Sequence, residues 1–178
     1  MVFKKEVRKL FLIGDRIIYG SEGAYFVKEF TTSPVDKSDT RQFYVLCSVY
    51  GPAGNVIITP VGNDKVKMRP VMSRDNALAF IDRIPEISTL TVEREKNRRE
   101  IYRQTLANST PDDFVSIIKT VMERREIFLK AKKRLSESDN DYERKAKLCL
   151  YGELASALDI PIDEVEAFVK DRLSSVSV

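Results

Sequence analysis

The chain has 178 residues, 43% of them apolar, and a formal net charge of +3, enough for one ordinary domain or two small ones with packed cores. It contains no histidine and only two cysteines, Cys47 and Cys149, which removes the usual near-neutral general base and makes a structural zinc site untenable. No apolar run approaches the ~20 residues of a membrane span, and the charged stretch Met1 to Lys9 lacks the apolar segment of a signal peptide, so a cytoplasmic protein is expected, with both cysteines as small buried hydrophobes.

Residues 11 to 70 carry most of the turn-forming residues and several short β-branched or aromatic runs. Ile17-Ile18-Tyr19 predicts a strand, ended by the turn Gly20-Ser21-Glu22-Gly23. Ala24 to Thr32 predicts a second strand, followed by a polar loop over 32–40. Gln42 to Tyr50 is the best strand of the chain by composition, closed by the turn Gly51 to Asn55. Val56 to Thr59 is a fourth strand ended by Pro60, and Val66 to Val71 a short fifth. Five short strands in about 60 residues point to a small SH3-like or Tudor-like β-barrel over 1–71. Such a barrel is too small for a ligand cavity and would bind a partner through an edge or a loop.

From Ser73 onward the apolar period becomes helical, predicting an all-α bundle over 72–178 and an α+β protein. Ser73 is a candidate N-cap, and that helix ends before Pro85. A second helix is expected from about Val92 to Leu106. Ser109-Thr110-Pro111-Asp112-Asp113 combines a hydroxyl cap, proline at the first helical position and acids facing the dipole. The helix it opens should run to about Lys133 with Phe114, Ile117, Ile118, Val121, Met122, Phe128 and Leu129 on its core side. Ser136-Glu137-Ser138-Asp139 starts another helix, whose Gly152 costs roughly 1 kcal/mol against alanine and calls for close packing. Pro161-Ile162-Asp163-Glu164 starts the last.

No phosphate-binding glycine loop and no Gly-x-Ser-x-Gly nucleophile turn occurs. Carboxylate chemistry is the one enzymatic route left; Asp112-Asp113 and Asp139/Asp141 are its candidates, better explained as caps and loop residues. The expectation is a non-enzymatic protein without cofactor, metal or small-molecule substrate. Charge distribution is more informative than net charge. Residues 94–134 hold twelve Lys/Arg against six Asp/Glu, whereas 148–169 hold five acids and no base. Such a basic segment is an electrostatic footprint for phosphates. Candidate DNA contacts are Arg98, Arg99, Arg103, Arg124, Arg125, Lys130, Lys132 and Lys133. Tyr102 is core or a stacking residue. Tyr19, Phe43 and Leu46 are candidate barrel core.

Several stretches, in order along nearly the whole chain, resemble the CarD/CdnL family of bacterial transcription regulators. Phe11-Leu12-Ile13-Gly14-Asp15-Arg16-Ile17-Ile18-Tyr19-Gly20-Ser21-Glu22-Gly23 resembles its opening, and Arg41-Gln42-Phe43-Tyr44-Val45-Leu46 its central strand. Ile57-Ile58-Thr59-Pro60-Val61-Gly62-Asn63 and Met68-Arg69-Pro70-Val71 resemble the following strands, and Leu150-Tyr151-Gly152-Glu153-Leu154-Ala155 its penultimate helix. The resemblance implies a barrel similar to the polymerase-interacting module of transcription-repair coupling factors, docking on the RNA polymerase β subunit by edge-strand pairing. It implies a helical domain on promoter DNA at the upstream edge of the bubble, modulating open-complex stability. Tyr44, Ile58 and Arg69 are the candidate polymerase contacts. Many members insert a tryptophan at the bubble; this chain has none, and the register places Arg98 near that position. Arginine enters a narrow minor groove or pairs with phosphate but wedges less well between base steps. The alternative reading is a polymerase-binding adaptor without DNA contact.

Overall fold

The computed structural model describes residues 11–36, 38–50 and 55–176; the expected turn at 51–54 and the charged stretch 1–9 lie outside them. Five strands, β1 (Arg16–Tyr19), β2 (Ala24–Thr31), β3 (Phe43–Ser48), β4 (Val56–Pro60) and β5 (Met68–Pro70), form one antiparallel sheet in the order β4-β3-β2-β1-β5. They do not close into a barrel: β4 and β5 are the two edges, and no ladder joins them. The third strand is shorter at both ends than composition suggests, and Val66-Lys67 stays outside β5.

The register sets two faces. Tyr44 opposes Thr59, Leu46 opposes Ile57 and Val27, and Ile17 opposes Tyr25. Ile17, Tyr25, Val27, Tyr44 and Leu46, with Phe11 and Tyr19, form an apolar cluster against which Ile57 packs. Gly20, at φ +50°, closes the end of β1 where a Cβ would sit 2.8 Å from Val66, so the turn takes glycine for both conformational and steric reasons.

Five helices follow: α1 (Arg74–Arg83), α2 (Arg98–Asn108), α3 (Pro111–Lys130), α4 (Glu137–Leu158) and α5 (Val165–Val176). The three hydroxyl caps legible in the sequence form: Ser73, Thr110 and Ser136 each accept from the backbone N–H three residues on. The second helix starts six residues later than its composition predicts. The β-branched Thr91-Val92 stays out of helix, and Arg94 is extended at φ −129° and ψ 124°. Leu90 N–H instead donates to Thr120 Oγ1 at 2.8 Å. The third helix stops at Lys130 rather than Lys133. Lys132 turns left-handed, Lys133 N–H donates to Phe128 O at 2.8 Å and Lys132 N–H to Leu129 O at 3.0 Å, a Schellman closure.

The helices share a second apolar cluster built on Phe80, Ile81, Tyr102, Phe114, Ile117, Val121, Leu150 and Leu154. Met122 and Leu129, expected in that core, are solvent-exposed, Leu129 by 67%. Gly152 earns its place at the sheet: a Cβ there would lie 3.3 Å from the Tyr50 ring and 3.6 Å from Ala24 Cβ. Close packing is thus the reason for this glycine, but the neighbours are Ala24 at the start of β2 and Tyr50 just beyond β3, not a second helix. The same junction is held by Cys149 Sγ donating to Ser21 O at 3.1 Å and by Arg69, whose guanidinium is bidentate to the fully buried Glu153, with Nη2–Oε2 at 2.7 Å. No helix among the described residues is long and apolar enough to cross a membrane.

Candidate nucleic-acid interface

The basic segment divides into two classes of side chain. Arg98, the residue nearest the family's wedge position, is only 7% exposed. Its Nε lies 2.7 Å from Asp139 Oδ1, Nη1 pairs with Glu95, and Nη2 reaches Ser136 Oγ at 3.3 Å. Arg124 joins the same cluster through Glu95, at 2.7 and 3.2 Å, and approaches Asp139 Oδ2 at 3.8 Å while stacking over Phe128. Asp139 accepts a further bond from Ser136 Oγ at 2.7 Å. The Arg98 and Asp139 atoms meet as charges and not as an aligned hydrogen bond. Tyr102 is fully buried beside them, edge-on to Tyr142, with no partner for its hydroxyl among the described residues. Burial, reinforced by the Asp139 charge, pushes that phenol up to about 12. Tyr102 is therefore core, and Arg98 and Arg124 are turned inward.

Two more of the predicted contacts are engaged within the molecule. Arg125 pairs bidentately with the buried Glu143, and Arg103 with Glu100 at 2.9 and 2.5 Å on one exposed helical turn. Arg99, Lys130, Lys132 and Lys133 are exposed and make no side-chain hydrogen bond or ion pair among the described residues. Arg94, Lys96, Arg134 and Lys145 share that condition.

The inward pairs decide where the free cations stand. Glu95, Arg98, Arg124 and Asp139 tie together three segments: the turn entering α2, the C-terminal half of α3 and the first turn of α4. All eight of these cations lie on these segments or a few residues beyond. Connectivity at no more than ~3.6 Å per residue keeps Lys132 to Arg134 within about 15 Å of Ser136. One end of the helical half thus carries an excess of positive charge, eight exposed cations against the exposed Glu93, Glu123, Glu126 and Glu137, none of these twelve side chains being paired among the described residues. Sequence reading missed Glu95 and Asp139 as organisers of this cluster. The i,i+3 spacing of Glu95 and Arg98 was a visible signal; the second, buried use of the capping residue Asp139 was not.

The predicted polymerase contacts separate as well. Tyr44 is 1% exposed in the sheet core, its hydroxyl accepting from Phe11 N–H at 3.0 Å, so it offers no surface to a partner. Arg69 is committed to Glu153 and to Ser109 O at 3.3 Å. Ile58 is 43% exposed on the edge strand β4. The bonds Ser48 N–H to Asn55 O and Val61 N–H to Gln42 O fix the alternation, leaving the backbone of Val56, Ile58 and Pro60 pointing away from β3. Proline stands where no ladder donor is needed. By contrast β5 is only three residues long, and its flank meets the end of α2 through Lys67 Nζ and Asn108 O, 3.4 Å apart. Among the described residues no three His, Cys, Asp or Glu gather to hold a metal.

Comparison with models of known protein families and with curated proteins finds no match for this chain.

Proposed function

We propose that this chain is a non-enzymatic transcription regulator of the CarD/CdnL type. In this reading residues 1–71 are a Tudor-like module that binds the RNA polymerase β subunit, and residues 72–178 are a helical DNA-binding domain. The protein works in the bacterial cytoplasm without cofactor and alters the stability of the open promoter complex. The observation that carries the reading is the excess of cations, eight against four exposed acids, brought to one end of the helices by the Glu95–Arg98–Arg124–Asp139 cluster. Phosphates would replace the counterions of that surface, making affinity fall steeply with salt. The meander order with β1 shared between β2 and β5 supports the Tudor-like module. The outward backbone of β4 supports edge pairing with the polymerase.

Within this reading the DNA contacts move from the predicted set to Arg99, Lys130, Lys132 and Lys133, joined by Arg94, Lys96, Arg134 and Lys145. One observation favours the adaptor alternative: the residue at the wedge position is folded inward. Titration of promoter duplex at a series of salt concentrations separates the two. A steep negative slope of affinity against salt supports DNA contact. Polymerase binding without measurable DNA affinity supports the adaptor.

A further inference from the structure

The helical half holds a second feature that neither DNA nor polymerase contact uses. Helices α3, α4 and α5 enclose a groove of about 450 Å³, within the roughly 300–1,000 Å³ of small-molecule sites. Val115, Ile118, Leu150, Leu154 and Val169 form its floor, and the exposed Met122 extends it toward solvent. Its rim carries four cations, Lys119, Arg125, Lys147 and Lys170, against two anions, Glu143 and Glu166.

Both anions are already engaged. Glu143 takes Arg125 and, at 3.3 Å, Lys147. Glu166 takes Lys170 at 2.8 Å, with Lys147 at 3.8 Å and the Tyr151 hydroxyl at 3.5 Å. Lys119 is anchored on the carbonyls of Ile84, Pro85 and Ile87 at 2.8, 3.1 and 2.6 Å, which fixes its charge at the mouth. A cationic head at this rim would meet like charge and find no free carboxylate. An anionic head would find a rim of four cations against two anions, with Lys147 at 3.3 Å from Glu143 and 3.8 Å from Glu166 still one-third exposed.

We propose that this groove binds a single-chain amphiphile with an anionic head, the alkyl chain lying on the Val115–Leu150–Val169 floor and the head at Lys147. The inference stands apart from the DNA reading and concerns a different surface. The test uses the full chain and dodecanoate below its micellar concentration, followed by calorimetry and amide-resolved NMR titration. Saturable one-to-one binding is expected, with shifts centred on Leu150, Tyr151 and Val169. Lys147→Met should weaken it about fivefold, the scale of an exposed ion pair, and Val169→Trp should abolish it by filling the floor. Dodecyltrimethylammonium should bind more weakly than dodecanoate by at least the same factor. Non-saturable binding, shifts scattered over the surface, equal binding of the cationic amphiphile, or unchanged affinity in Lys147→Met would each overturn the proposal. If Val169→Trp does not fold, the Lys147→Met and head-group comparisons decide.

Discussion

Arg69 on the edge strand β5 grips Glu153 in the C-terminal third of α4, across 84 positions of sequence, and Glu153 is wholly excluded from solvent. The carboxylate also accepts from Met72 N–H at 3.3 Å, and the guanidinium continues to Ser109 O. One ion pair therefore joins the sheet, the strand-to-helix connection and the turn between α2 and α3. Removing one partner leaves the other charge buried without compensation. We expect Arg69→Met to destabilise the fold by about 3–5 kcal/mol in urea unfolding. Replacing both, Arg69→Met with Glu153→Leu, should recover much of the loss; a double variant as unstable as the sum of the singles would contradict this account.

The Arg98 cluster and the exposed cations should respond oppositely to mutation. Asp139→Ala removes the acceptor of the Ser136 hydroxyl and leaves the buried Arg98 with only Glu95 and Ser136, and should cost about 3 kcal/mol of stability. Arg99 holds no partner among the described residues, so Arg99→Ala should leave stability within about 0.5 kcal/mol while weakening DNA binding. Thermal unfolding beside DNA titration of both variants checks the pair of outcomes.

Lys130, Lys132 and Lys133 are expected to meet separate phosphates. Their triple alanine variant should lower the slope of log affinity against log salt by roughly 2–3, about 0.9 for each phosphate that is no longer neutralised. A parallel shift with unchanged slope would mean that these side chains do not meet phosphate.

The edge strand is tested by Ile58→Pro, which removes an outward backbone donor and leaves the β3 ladder intact. Co-purification with the polymerase β subunit should be lost while the circular dichroism spectrum is kept. Retained binding would exclude β4 as the docking edge.

Acid stability follows from the carboxylates. Burial works to raise Glu143, but Arg125 and Lys147 outweigh it and hold the acid below its usual range; Arg83 does the same for Asp112. A lowered folded value contributes stability that is complete above the unfolded pKa of about 4 and vanishes as pH falls through the folded one. Unfolding free energy should be flat from pH 7 to about 5 and fall below it. Glu143→Gln should be less stable at pH 7 and show a shallower fall.

Thiol chemistry offers an independent check on the sheet–helix junction. Burial, aided by the charges of Glu22 and Glu153 and opposed by Arg69, pushes the Cys149 thiol up to about 12. An aromatic disulfide reagent at pH 8 should therefore modify the half-buried Cys47 and reach Cys149 only on unfolding. Two equivalents consumed at the fast rate would show that the junction opens.

The legible parts of this protein were those set by local chemistry. Ser73, Thr110-Pro111 and Ser136 announce their helices because a hydroxyl before a helical run satisfies a free N–H regardless of tertiary context. Phe43 and Leu46 of β3 were legible as buried, but Tyr44 was not, because strand alternation presumes one wet face. Phe43, Tyr44, Val45 and Leu46 are all buried, Tyr44 in the sheet core and Phe43 beneath the Arg41 guanidinium at 5.9 Å. The basic run announced itself as charge, but not which arginines face inward. That depends on Asp139 meeting Arg98 and Arg124 from a distant part of the chain, a contact that no single-sequence periodicity encodes.

The most direct test of the central claim is the lifetime of the open promoter complex formed by the cognate RNA polymerase, measured against a competitor with and without this protein. The proposed function predicts a longer lifetime with the native chain and a shortened one with Lys130, Lys132 and Lys133 replaced by alanine. An unchanged lifetime with the protein demonstrably bound to the polymerase would contradict it.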